Sequence, residues 1–153
     1  MVVAHFEDCL TEIRQLLEAN AVDDPRLFAL RADDLESVKS SLLGLDDSQL
    51  VEMIVAERHP LVERDGELVE FARQCGCRSR ISHHLSLEDP LLKIFAGEWT
   101  RNILEKLGMT EDEPIQSRMA SRRIRQAQEK VTRNANGELV VKSANAWFEG
   151  NVQ

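Results

Sequence analysis

The chain has 153 residues, 42% of them hydrophobic and 30% charged. This is the balance of a soluble globular protein, long enough to bury about 70% of its unfolded surface without a metal or a disulfide to hold it. Its net charge of −8 opposes nucleic-acid binding over the surface as a whole, because neutralising phosphates needs an excess of lysine and arginine. No apolar run approaches the ~18 residues of a membrane span, and the opening MVVAHFEDC carries no basic region or small-residue cleavage pattern, so the sequence predicts a cytosolic protein. The cysteines Cys9, Cys75 and Cys77 are odd in number and form no secreted disulfide framework, which predicts reduced thiols.

Residues 2–6 (VVAHF) read as a short buried strand. Phe6, Leu10, Ile13 and Leu17 then recur at steps of four, three and four, with Glu7 and Asp8 opening the first turn of an amphipathic helix. After the turn signal Asp23-Asp24-Pro25, residues 26–30 (RLFAL) predict a second strand. Asp33 or Asp34 caps a helix that carries Leu35, Val38 and Leu42 and closes at Gly44. Residues 51–56 (VEMIVA) predict a third strand, stopped by Pro60, and Leu68, Phe71 and Ala72 mark the apolar side of a helix from about 63 to 74. Residues 78–85 (RSRISHHL) predict a fourth strand.

From there the pattern becomes helical. Ser86 and Asp89 have the spacing of a capping box ahead of Leu91, Phe95, Trp99, Ile103 and Leu107, which repeat every four residues. Thr110 and Glu113 repeat the capping signature, Pro114 suits a first turn, and Ile115, Met119, Ile124, Ala127 and Val131 continue one face. The tail has a turn signal at Asn136-Gly137, the apolar run LVV and one last turn around Trp147 and Phe148. Alternating strand and helix predicts an α/β fold with a small parallel sheet over residues 1–85, a helical arm over 86–133 and a C-terminal tail over 134–153.

Phosphate chemistry on such a sheet calls for a glycine-rich loop ending in lysine and a hydroxyl residue. The seven glycines are scattered and none precedes a lysine, so independent ATP hydrolysis is not expected. Cys75, Cys77, His83 and His84 offer zinc-type ligands, but adjacent histidines on a strand point to opposite faces and the spacing matches no finger pattern, so no metal is expected. Redox activity at the cysteines would require thiolates stabilised by Arg73, Arg78 or Arg80. Glu88 and Asp89, like Glu111, Asp112 and Glu113, open predicted helices, where acidic residues complement the helix dipole; capping accounts for them better than catalysis. Six cations (Arg118, Arg122, Arg123, Arg125, Lys130 and Arg133) against Glu129 alone put residues 118–133 at net +5 and the rest of the chain at −13. This basic helix could meet RNA, anionic lipid or an acidic protein surface, or pair with the chain's own acidic half.

The segment SLEDPLLKIFAGEWTRNILEKLGMTEDEPIQSRMASRRIRQAQEKV, residues 86–131, resembles the SecA preprotein translocase ATPase family. Ser86 to Asp89, Ile94-Phe95, Leu107-Gly108-Met109, Pro114-Ile115 and Ala127-Gln128 with Lys130-Val131 stand in the order of that family's SLED, IF, LGM, PI and AQ-KV motifs. Upstream, Glu57-Arg58-His59 is similar to the family's TERH segment at the family's own distance from Ser86, and Leu68, Ala72 and Gly76 fall in place. The resemblance implies the end of a RecA-like second motor domain running into a helical scaffold. It also implies a loss, because Val69, Phe71 and Gln74 stand where the family's QLRGRAGRQGDPG motif has arginines directed at the γ-phosphate.

Together these features predict a non-catalytic, SecA-like accessory or interaction module linked to protein export, with no cofactor, no metal and no catalytic residue. The partner would be a translocation component or motor protein, met by Arg118, Arg122, Arg123, Arg125 and Lys130. Nucleic acid is disfavoured, and contact with the inner face of the membrane is compatible with the basic helix. One alternative is a component of an ATP-dependent translocase whose phosphate loop lies elsewhere; another is a basic-helix binder of RNA or anionic membrane.

Overall fold

The computed structural model describes residues 1–46, 48–86, 89–95, 118–135 and 139–151, with the single positions 98, 102, 106 and 137. Four parallel strands, β1 (Val2–Ala4), β2 (Ala29–Arg31), β3 (Leu50–Val55) and β4 (Arg78–His83), stand in the order β2-β1-β3-β4. The helices are α1 (Glu7–Ala19), α2 (Leu35–Leu43), α3 (Val62–Gln74), α4 (Pro90–Phe95), α5 (Arg118–Asn134) and α6 (Ala144–Asn151). The expected parallel α/β sheet is therefore present. Val2 pairs with both Ala29 and Ile54, and Val55 with His83. Because the chain leaves β1 toward β2 and then returns past β1 to β3, right-handed crossovers put α1 on one face and α2 and α3 on the other.

The packing agrees with that topology. Met1, Val3, Leu30, Met53 and Val55 of the sheet form one core with Leu35 and Leu42 of α2 and Leu68, Phe71 and Ala72 of α3. A second core joins Phe6, at the end of β1, to Leu91 of α4, Ala127 and Val131 of α5, and Ala144, Trp147 and Phe148 of α6. The two share no buried member. Among the described residues no helix is long and apolar enough to cross a membrane.

Several element boundaries move for identifiable reasons. Residues 24–27 form a turn, with the Arg26 N–H on Asp24 Oδ1 (2.9 Å) and the Leu27 N–H on the Asp24 carbonyl (2.8 Å), so β2 starts at Ala29 rather than Arg26. β1 ends at Ala4 because the N–H groups of His5 and Phe6 turn away to a side chain. Asp33 and Asp34 lie in a single 3-10 turn and make no side-chain cap to α2; the Asp33 carboxylate instead bonds Arg31 and Arg64. Asp89 precedes α4 and caps it, accepting the Leu91 N–H at 2.8 Å.

Leu91 is fully buried as expected. The side chains of Phe95, Trp99, Ile103 and Leu107, the Thr110 to Glu113 cap, and Pro114 and Ile115 lie outside the described residues. On α5 the apolar face runs through Ile124, Ala127 and Val131, but Met119 is exposed. The tail departs furthest from its sequence reading. It forms an eight-residue helix opened by Ser143, whose hydroxyl accepts the Ala146 N–H at 3.3 Å, and it buries Trp147 completely. Trp147→Ala is expected to lower unfolding free energy by about 3–5 kcal/mol, and Val140→Ser, at 97% exposure, by less than about 0.5 kcal/mol, both read from urea unfolding.

Candidate functional site

In an open parallel sheet the carboxyl ends of the strands, at the point where strand order reverses, form the crevice where ligands bind. Here that point lies between β1 and β3. Glu57, two residues beyond β3, reaches across it, and its Oε1 accepts the N–H of His5 (3.0 Å) and of Phe6 (2.9 Å). These are the amides that lead into α1, which no side chain of its own caps, so a carboxylate 51 residues away holds the seat that a helix N-terminus offers to an anion. Burial pushes the Glu57 carboxyl up to about 7, against the lowering effect of the bonds from Phe6, Cys9 and His5. The Cys9 thiol beside it is raised to about 12, mainly by burial and then by Glu57. An open cleft of about 270 Å³ adjoins this pair, with Asp8, Glu12 and Asp89 also on its walls.

The other cations of this edge are likewise met from within the chain. Arg31 and Arg64 both bond the Asp33 carboxylate. Burial works to raise the Asp33 carboxyl, but the bonds and charges of Arg64 and Arg31 outweigh it and hold the group low. Arg58 bonds Asp65 Oδ2, and the same oxygen accepts from Gln128 Nε2 at 2.7 Å. Gln128 also donates to the His59 carbonyl at 2.9 Å, and its side chain is sealed from solvent. Arriving from α5, it ties the arm to the sheet's carboxyl edge.

Three histidines surround this joint. His5 Nε2 and His83 Nε2 approach Asp65 Oδ1 at 3.9 and 3.8 Å, too far for hydrogen bonds. The His59 ring stacks on Phe6 (5.3 Å), meets His5 edge-on (5.2 Å) and abuts Trp147 (5.9 Å), while its Nδ1 accepts the Leu61 N–H at 3.1 Å. Burial pulls His5 and His59 down to about 3 and His83 to about 4, so all three are neutral at pH 7.

The residues singled out by sequence fall elsewhere. Arg122, Arg123, Arg125 and Lys130 line the exposed side of α5, where Arg125 pairs with Glu129 at 3.2 Å; the Arg118 side chain lies outside the described residues. Cys75 and Cys77 precede β4 and His83 ends it, about 17 Å along a six-residue strand, so these ligand types are not gathered. Burial, then Cys77, raises the Cys75 thiol, the opposite of the activated thiolate a redox role requires. Among the described residues no group of three histidine, cysteine or carboxylate side chains is placed to hold a metal ion. On α3, Val69 is exposed, Phe71 lies in the sheet core, and Gln74 accepts a bond from Lys39 at 2.8 Å. Sequence reasoning missed Gln128, Asp65, His5 and Glu57 as one constellation. The only signal was that Glu57, His59 and Gln128 fall within quoted motifs.

No family model matches the chain. It is similar to the protein translocase subunit SecA of Koribacter versatilis, with 47% identity over 75 residues, 49% of this chain and 8% of that protein. Against the subunit of Acidobacterium capsulatum the identity is 44% over 103 residues, 67% of this chain and 10% of the other. Against that of Solibacter usitatus it is 40% over 104 residues, 65% and 11%. The chain carries a segment of the SecA family. It spans about a tenth of the length of these relatives.

Two expectations follow from the edge. Gln128→Ala strips the His59 carbonyl of its buried donor and leaves Asp65 to Arg58 alone; it should lower unfolding free energy by about 2–4 kcal/mol in urea, while Gln126→Ala, on the exposed side of the same helix, should stay within about 0.5 kcal/mol. Glu57 binds its proton more tightly folded than unfolded, so its contribution is fully present below its ordinary value of 4.5 and is lost as pH rises through about 7. Glu57→Gln should remove that component, so that the mutant's stability relative to wild type rises as pH goes from 4.5 to 7.5, read from urea midpoints.

Proposed function

We propose that this chain is a non-catalytic SecA-like interaction module, in which a RecA-like α/β region over residues 1–85 serves as scaffold. The helices of residues 86–133 present the partner surface, and the tail from 134 supplies α6 to their core. One observation carries the reading: the anion seats at the sheet's carboxyl edge are filled by the chain's own Glu57, Asp33 and Asp65. Phosphoryl transfer needs cations and amides free to meet developing charge. The residues at the family's arginine positions, Val69, Phe71 and Gln74, supply none, which supports the same conclusion.

The partner is a protein of acidic surface, a translocation component or motor protein, and the binding face is the exposed side of α5 with Arg122, Arg123, Arg125 and Lys130, continued by Arg118. Complementary charge there would speed encounter and fix register more than it would deepen affinity. The module works in the cytoplasm, peripheral to the inner face of the membrane when its partner is there.

Capture from native extract tests the reading. The full chain is expected to retain a translocation component, motor protein or secretory precursor, and replacing Arg122, Arg123, Arg125 and Lys130 by glutamate should weaken retention at least about tenfold without changing the fold. Equal retention by the charge-reversed chain would overturn the assignment of this face. Recovery of none of these three classes would overturn the translocation role, and binding to RNA or anionic vesicles that collapses with salt would point to the basic-helix alternative.

A further inference from the structure

The joint between arm and sheet has an unusual construction. Among the described residues, the arm's core takes buried Phe6 and partly buried Leu61 from the sheet's carboxyl edge, and the sheet's core takes nothing from the arm. Between them lies a polar seam where Gln128 of α5 meets Asp65 and the His59 carbonyl, and Trp147 of α6 covers the His59 ring. The seam is incompletely bonded: His5 Nδ1 and Nε2, Asp65 Oδ1, His83 Nε2 and Trp147 Nε1 are buried without a hydrogen-bond partner among the described residues. Orphaned polar atoms destabilise the closed arrangement and need a reason, and a joint that opens supplies one.

We propose that this seam is an acid-triggered latch, in which proton uptake by His5, His59 and His83 releases α5 and α6 from the sheet while the sheet's own core stays folded. The geometry sets the order of events. A proton on His59 Nδ1 would abolish its bond from Leu61 and place a charge between Phe6 and Trp147, and separating the arm removes that apolar cover. His5 lies behind His59, facing Asp65 and His83 and within the fields of Arg58, Arg64 and Asp33. His83 faces Asp65 and Arg58.

The signs agree with release on acidification. A histidine held neutral by burial contributes stability that is fully present above its ordinary pKa of 6.5 and is lost as pH falls toward the folded values of about 3 and 4. Glu57 opposes this over part of the range, because its raised pKa favours the folded state on the acid side, as does that of Asp89. Three histidines outnumber these two carboxyls; Glu57 faces the amides leading into α1, and Asp89 faces the N-terminus of α4 together with Arg58.

The test uses the full chain with Trp99→Phe, which leaves Trp147 as the only tryptophan. Trp147 emission and peptide-resolved hydrogen exchange, expressed as protection factors, are followed from pH 8 to 4. Red-shifted emission and lost protection over residues 118–151 are expected between pH 6.5 and 4, with β1 and β3 still protected. His59→Asn keeps an acceptor for the Leu61 N–H but cannot take the proton, so it should move the transition to lower pH and make it shallower by about one proton. His84→Asn, at an exposed site, should leave the transition unchanged. If His59→Asn is not folded at pH 8, His83→Asn gives the same readout. Loss of protection in sheet and arm at one pH, an unaltered profile in the histidine variant, or no change down to pH 4 would each overturn the latch.

Discussion

One carboxylate, Asp65, fixes the arrangement on which the rest depends. From the first turns of α3 it receives Arg58 from beyond β3 and Gln128 from α5, and it faces His5, just beyond β1, and His83, the last residue of β4. A side chain in that position registers the strand ends against one another and against the arm. Its charge is supported by Arg58 and by the Gln128 amide; removing either donor would leave a poorly paired charge behind a largely closed surface, which is why buried networks of this kind are strongly coupled.

The same edge bears on function. Parallel α/β sheets collect amides and cations where strand order reverses, and such a collection is normally open to a ligand. In this SecA-derived segment Glu57 takes the amides leading into α1, Asp33 takes Arg31 and Arg64, and Asp65 takes Arg58. Internal ligation stabilises the edge and reduces its capacity for external phosphate. The cations Arg122, Arg123, Arg125 and Lys130 of α5 lie on its exposed side, where Arg125 pairs with Glu129. This contrast between a self-satisfied edge and a basic outer face underlies the proposed role as an interaction module.

Much of the fold was legible in the sequence because periodicity and turn residues are local. Val2 to Ala4, Leu50 to Val55 and the Leu68, Phe71 and Ala72 stripe appear where alternation and helical spacing put them. Alternating elements gave the parallel sheet, and the quoted motifs gave the family. The boundaries that moved did so because a side chain took a backbone group out of the local pattern, as Asp24 did ahead of β2 and Glu57 did beyond β1. α6 was under-read because its stability comes from burying Trp147 and Phe148 in one core with Phe6, Leu91 of α4 and Ala127 and Val131 of α5, a packing that the composition of ANAWFEGN does not announce. The seam was hidden for the same reason: Gln128 and Asp65 are 63 residues apart, and each alone looks like an ordinary helix residue.

The most direct test of the self-ligated edge is a calorimetric titration of Mg-ATP, and separately of inorganic phosphate, into the full chain at pH 7.5. Seats held by Glu57, Asp33 and Asp65 predict no saturable heat for either ligand. Saturable binding of Mg-ATP by the unaltered chain, competed by phosphate and abolished by replacing Arg31 and Arg64, would show that the edge is open to an external anion and would contradict the reading of this chain as a non-catalytic module.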